Sequence, residues 1–161
     1  MPAANVKVFR WTLDLRAPPA ALWPLVSNTD RFNRDCGYPP VKAITPPADR
    51  AGRATNARRL RASVLGLPII WEEYAFEWIE PVRFSVVRDY SRGPVARMVL
   101  NCELQPRPDG GTALTYEMQL TPAHLLGRLL LPVAVGRRVR SIVARVLHRY
   151  DEFALRGLAT S

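Results

Sequence analysis

Apolar and polar residues alternate strictly from Phe9 to Arg16. Phe9, Trp11, Leu13 and Leu15 fall on one side, and Arg10, Thr12, Asp14 and Arg16 on the other. A period of two marks a half-buried strand. Pro18-Pro19 ends that strand and opens a helix from Pro19 to about Ser27, in which Leu22, Trp23, Leu25 and Val26 are apolar. Pro24 inside it predicts a short or distorted helix. Thr29-Asp30 offers a cap for a second short helical turn through Arg31–Arg34. The stretch from Gly37 to Gly52 is rich in Pro and Gly and reads as loop, with one short strand at Val41–Ile44. The period of two then resumes in Thr55–Leu65, Ile70–Ile79, Phe84–Tyr90, Val95–Gln105 and Thr112–Thr121. Turns at Gly66-Leu67-Pro68, Glu80-Pro81-Val82, Arg92-Gly93-Pro94 and Asp109-Gly110-Gly111 separate them. The last of these is a strong hairpin signal.

After Thr121 the period changes to 3.6. Pro132 to Gly157 reads as one long amphipathic helix, with Pro132 in its first turn and Gly157 at its stop. At ~100° per residue, Val139, Ile142, Val143, Val146, Leu147, Tyr150, Phe153 and Ala154 share an arc of roughly 140°, the width of a face laid against a core. Arg138, Arg145, Arg149 and Arg156 line one flank of it. The predicted class is α+β. A curved antiparallel sheet of about six to seven strands wraps a long C-terminal helix, and two short helices follow strand one. A curved sheet can bury its concave face only against another element, and this helix is the one long enough. The space enclosed is the expected ligand site.

Composition adds less. At 161 residues the chain is expected to be a single domain. Its net charge of +9 comes from 23 basic against 14 acidic side chains, and only Lys7 and Lys42 are lysines. The arginine content reflects either a GC-rich coding sequence or a surface that attracts phosphate, nucleic acid or acidic lipid. Cys36 and Cys102 stand far apart with no histidine at ligand spacing, which excludes a disulfide framework and a zinc site. Met1–Asn5 shows no signal-peptide pattern, and the apolar stretch Leu125–Val135 is broken and too short to span a bilayer. The expected location is cytoplasmic, with no metal and no cofactor.

Alternation also says which side chains face the concave side. On the last two strands these are Ala96, Met98, Leu100, Cys102 and Leu104, then Leu114, Tyr116, Met118 and Leu120. On the preceding pair they are Ile70, Glu72, Tyr74, Phe76 and Trp78, then Phe84, Val86, Arg88 and Tyr90. Glu72 and Arg88 interrupt these rows with charge. Either they pair, so that Glu72, Tyr74, Arg88 and Tyr90 form the polar end of a cavity, or a bulge shifts the register and both charges reach water. The candidate cavity residues are Glu72, Tyr74, Phe76, Trp78, Arg88, Tyr90, Met98, Leu100, Tyr116, Met118, Val139, Ile142, Val143 and Val146.

No catalytic residue is assigned. His124 and His148 are the only histidines, neither sits beside a nucleophile, and no phosphate-cradling glycine loop occurs. The arginine flank of the last helix and the Arg50–Arg61 group have two readings. They are stems flanking the core with their heads in water, or a surface for an anionic membrane or a protein partner. As a nucleic-acid surface they lack interleaved aromatics and a recognised module.

The element order, the run Ala17-Pro18-Pro19-Ala20-Ala21-Leu22-Trp23-Pro24-Leu25-Val26, the Trp71-Glu72-Glu73 strand, the Gly93-Pro94 turn and Asp109-Gly110-Gly111-Thr112 together resemble the START/Bet v 1-like superfamily of helix-grip proteins. More narrowly, Leu22–Ser27, Arg31-Phe32-Asn33 and Phe76-Glu77-Trp78 are similar to an N-terminal domain of some bacterial adenylate/guanylate cyclases. The resemblance implies binding of a hydrophobic or amphiphilic small molecule in an internal cavity, in a sensing, carrier or regulatory role. The alternatives are a polyketide cyclase/aromatase-type enzyme and a packed interaction module without ligand.

Overall fold

The computed structural model describes residues 6–44, 58–64 and 66–160. The expected loop beyond Ile44, the start of the strand expected from Thr55, and Arg50 and Arg53 lie outside these residues. Strand β1 (Lys7–Leu15) leads into helices α1 (Pro19–Val26) and α2 (Thr29–Asp35). There follow β2 (Lys42–Ile44), β3 (Arg58–Val64), β4 (Leu67–Ile79), β5 (Arg83–Arg92), β6 (Val95–Pro106) and β7 (Thr112–Pro122). The chain ends in α3 (Leu125–Val133), a π-helical segment (Ala134–Val139) and α4 (Arg140–Ala159). The seven strands form one antiparallel sheet in the order β1-β7-β6-β5-β4-β3-β2, a meander closed by the return of β1 beside β7.

Alternation turned into packing on most strands. Trp11 and Leu15 of β1, Met98, Leu100, Cys102 and Leu104 of β6, and Leu114, Tyr116 and Leu120 of β7 are buried together. They join Val143, Val146, Leu147, Tyr150 and Ala154 of α4 and Leu22, Trp23, Leu25 and Val26 of α1 in one core. Register places Trp11 opposite Tyr116, Tyr116 opposite Cys102 and Cys102 opposite Phe84, so one row crosses four strands.

Three expectations about the ends of elements are corrected. The C-terminal helical run starts at Leu125, and Pro132 lies inside α3 rather than in its first turn. An interior proline has no N–H to bond the carbonyl four residues back, and its ring crowds that carbonyl. The π-helical residues Ala134–Val139 follow directly, the kind of local defect with which a helix absorbs such a break. Gly157 does not stop α4, which continues to Ala159. The cap of α2 is Asn28, whose side chain accepts a hydrogen bond from the Arg31 N–H.

Asp151, which is not among the residues of the apolar arc, is 4% exposed. Its carboxylate accepts from the Ala17 N–H at 2.7 Å and faces Arg16 Nε at 3.4 Å. The Ala17 carbonyl in turn accepts from the buried Thr112 hydroxyl at 2.7 Å. These bonds tie α4, the β1–α1 corner and the start of β7 together. Phe153, counted in the arc, is 55% exposed.

Candidate functional site

The sheet's concave side is decided at β4. Trp71 and Glu73 are buried, whereas Glu72 is exposed, the reverse of strict alternation back from Trp78. The cause is an irregularity in the β4–β5 ladder between Ala75 and Glu77. Ala75 pairs with Val86 and Glu77 with Ser85, which leaves Phe76 without an opposite residue. One extra residue in a strand exchanges its two faces. Past this bulge Trp78 is back on the core side, with ring contacts to Phe84 at 5.1 Å and Trp23 at 5.9 Å. Before it, Glu73 takes the inward place expected of Glu72, and Glu72 stands opposite Asp89. Tyr74 donates its hydroxyl proton to Asp89 on the other side of the sheet. The side chain of Phe76 lies outside what is described.

A row of charge therefore crosses β3, β4 and β5: Arg58 opposite Glu73, Glu73 opposite Arg88. Arg88 Nε donates to Glu73 Oε2 at 2.6 Å and Arg58 Nη2 to Glu73 Oε1 at 2.7 Å, so both carboxylate oxygens are taken. Arg58 also spans to Asp30 of α2 with two bonds of 3.2 Å. Burial works against the charge on Arg88, but the adjoining Glu73 carboxylate outweighs it, and the guanidinium stays firmly protonated. Arg88 also lies 5.9 Å from the Trp71 ring centre, within cation–π range.

Arg88 forms one wall of a cavity of about 210 Å³. Its other lining residues are Asn33, Tyr38, Pro39, Val41, Ala62, Ile69, Trp71, Tyr90, Met98, Leu100, Tyr116 and Met118. Tyr38 and Val41, each more than a third exposed, stand at its rim. Six of the fourteen sequence candidates line this space: Arg88, Tyr90, Met98, Leu100, Tyr116 and Met118. Glu72 and Tyr74 do not, for the reason just given, and Trp78 is 47% exposed beyond the bulge. Val143 and Val146 are packed in the core, and Val139 and Ile142 lie partly buried against it. Trp71, Glu73 and the α2–β2 residues Asn33, Tyr38, Pro39 and Val41 are not among the cavity candidates read from the sequence. The indole N–H of Trp71 is, among the described residues, the one buried side-chain polar atom without a partner.

The phenols around Arg88 are held protonated. Burial raises Tyr116 well above its ordinary value of 10.0. Burial also raises Tyr90, although a hydrogen bond and charge from Arg88 oppose it. These folded-state values lie above the unfolded one, so the contribution is complete below about pH 10 and is lost as pH rises through the folded values. Urea midpoints are expected to hold up to about pH 9 and fall by about pH 11. Equal midpoints at the two values would contradict the burial of these phenols.

Burial likewise pushes the Cys36 thiol up to about 12 and that of Cys102 higher still, so neither is a ready thiolate. His124 and His148 are both exposed. Among the described residues no group of three or more His, Cys, Asp or Glu could hold a metal ion. No described helix is long and apolar enough to cross a membrane.

A curved antiparallel sheet with a long C-terminal helix and two short helices after the first strand defines a helix-grip protein. Within that class the chain belongs to the polyketide cyclase/dehydrase and lipid transport family, whose model matches residues 8–154. The Zhui aromatase/cyclase from Streptomyces is similar over 91% of this chain and 94% of its own, with TM-score 0.66 and 13% identity. A START superfamily protein from Mycobacterium smegmatis is similar over 90% and 97%, with TM-score 0.60 and 13% identity. A Thermus thermophilus protein gives TM-score 0.61 at 16% identity over 92% and 99%. At these identities the likeness establishes the shared fold. No curated protein matches the chain.

Proposed function

We propose that the protein binds a small hydrophobic or amphiphilic molecule in the cavity beside Arg88, as a carrier or sensor rather than a catalyst. The observation that carries this reading is one largely buried cation, its side chain 11% exposed, set in an apolar and aromatic wall: Arg88 among Trp71, Tyr90, Met98, Leu100, Tyr116 and Met118. Such a wall takes up a hydrocarbon body, and the guanidinium with the protonated phenols offers donors to a carbonyl or carboxylate head. The exposed histidines and the protonated thiols supply no base or nucleophile at the cavity. At about 210 Å³ the space is below the ~300–1,000 Å³ of drug-sized sites, so the fitting ligand is of one- or two-ring size.

Arg88→Met tests the reading. A ligand found by calorimetry with a panel of small aromatic acids and short fatty acids is expected to bind the variant about tenfold or more weakly. Glu72→Gln, on the outer side, is expected to bind as the wild type does. Equal affinity of wild type and Arg88→Met for such a ligand would sink the proposed orientation.

The small volume also favours a second reading, a packed interaction module whose interior takes no ligand. A panel that shifts neither melting nor heat of mixing would support it. The finer role of regulatory module for a nucleotide cyclase rests on the resemblance of Leu22–Ser27, Arg31–Asn33 and Phe76–Trp78 alone.

A further inference from the structure

Helix α3 is apolar on both sides. Gly127 and Leu131 face the protein. A Cβ at Gly127 would stand 2.5 Å from the Pro94 carbonyl oxygen, so the helix sits directly on the β5–β6 turn and its rotation is fixed. At ~100° per residue, Leu125, Leu129 and Val133 form a ridge pointing the opposite way, and they are 73%, 75% and 73% exposed. A surface helix ordinarily turns polar residues outward.

The charge around this ridge has one sign. From Met118 to Tyr150 the chain carries no Asp or Glu, and it carries Arg128, Arg137, Arg138, Arg140, Arg145 and Arg149. The first four are exposed on α3, the π-helical segment and the start of α4. Among the described residues none of the four is in an ion pair. The α4 flank differs: Arg145 and Arg156 turn onto their own helix carbonyls, and Arg149 bonds the Asp35 carbonyl at 3.0 Å.

We infer that α3 and the π-helical segment dock on an anionic lipid surface, the ridge entering the headgroup boundary and the four arginines meeting the lipid phosphates. An apolar ridge flanked by arginine is the pattern of interfacial binding, in which buried apolar area and attraction to acidic lipid act together. A second copy of this chain fits less well. A two-fold contact would set the same arginines against each other on molecules of net charge +9. The β5–β6 turn that carries α3 also lies close to Ile69, since a Cβ at Gly93 would stand 3.6 Å from that side chain, and Ile69 lines the cavity. The docked face thus lies one turn from the cavity wall. This goes beyond the ligand-binding reading and does not require it: Arg88→Met is expected to dock normally.

Co-sedimentation with vesicles of equal parts phosphatidylglycerol and phosphatidylcholine, against pure phosphatidylcholine, tests it. The wild type is expected to pellet with the first, less so at high salt, and not with the second. Arg137→Gln with Arg138→Gln is expected to weaken binding about 25-fold, at roughly fivefold per arginine. Leu125→Ser, Leu129→Ser and Val133→Ser together are expected to abolish it while melting stays unchanged, because these side chains are exposed. The inference is overturned if the wild type stays in solution or if the triple serine variant pellets as the wild type does. It is overturned equally if those serines abolish a self-association and no vesicle binding exists.

Discussion

Glu73→Gln is expected to destabilise the protein by about 3–5 kcal/mol, the usual cost of removing one partner of a buried ion pair. Both Glu73 oxygens are engaged, by Arg58 at 2.7 Å and Arg88 at 2.6 Å, and its side chain is 7% exposed. Arg58 can retain Asp30, at about half exposure for both side chains. Arg88, whose side chain is 11% exposed, would lose the carboxylate that offsets its burial. For a domain of this size the loss corresponds to a fall in Tm of about 6–20 °C. Glu72→Gln, one residue away, is expected to change stability by no more than ~0.5 kcal/mol, as an exposed substitution. Urea unfolding of the two variants side by side decides which glutamate faces inward. Equal losses, or a larger loss at Glu72, would contradict the bulge-shifted register.

The second large effect lies beyond the bulge. Phe84 is 2% exposed and packs edge-to-face on Trp23 at 5.8 Å and tilted on Trp78 at 5.1 Å. Phe84→Ala removes the centre of this trio and leaves a cavity that α1 and β4 cannot easily close. The expected cost is about 3–5 kcal/mol. With its packing partner gone, Trp78 emission is expected to move to the red in a variant keeping it as the only tryptophan. An unshifted spectrum, or a loss under ~1 kcal/mol, would show that Trp78 does not pack inward.

Much of this architecture was legible because its signals are local. The alternation of Phe9 to Leu15 and of Met98 to Leu104, and the turn residues Gly93 and Gly110, act within a few positions. The reversal at β4 was not legible, and the reason is specific. Ile69, Trp71 and Ala75 on one phase and Ile70, Tyr74, Phe76 and Trp78 on the other are both apolar or aromatic, and each phase is broken by one glutamate, Glu73 or Glu72. Either phase reads as a core face, and nothing in the pattern says where one gives way to the other. Arg88 was legible as an inward charge because Phe84, Val86 and Tyr90 surround it with a clean period. Its partner was missed by one residue. The far wall of the cavity, from Asn33, Tyr38, Pro39 and Val41, comes from α2 and a proline-rich connection without periodicity. Only tertiary packing brings it over the sheet. The start of the last helical run was obscured by Pro132, which usually marks a first turn and here sits in the interior.

Native mass spectrometry and solvent extraction of protein purified without detergent are expected to show a molecule of one- or two-ring size retained beside Arg88 at near-stoichiometric level, and lost in Arg88→Met. A protein that emerges empty, with melting unmoved by a panel of lipids and small aromatic acids, would rule out the proposed binding.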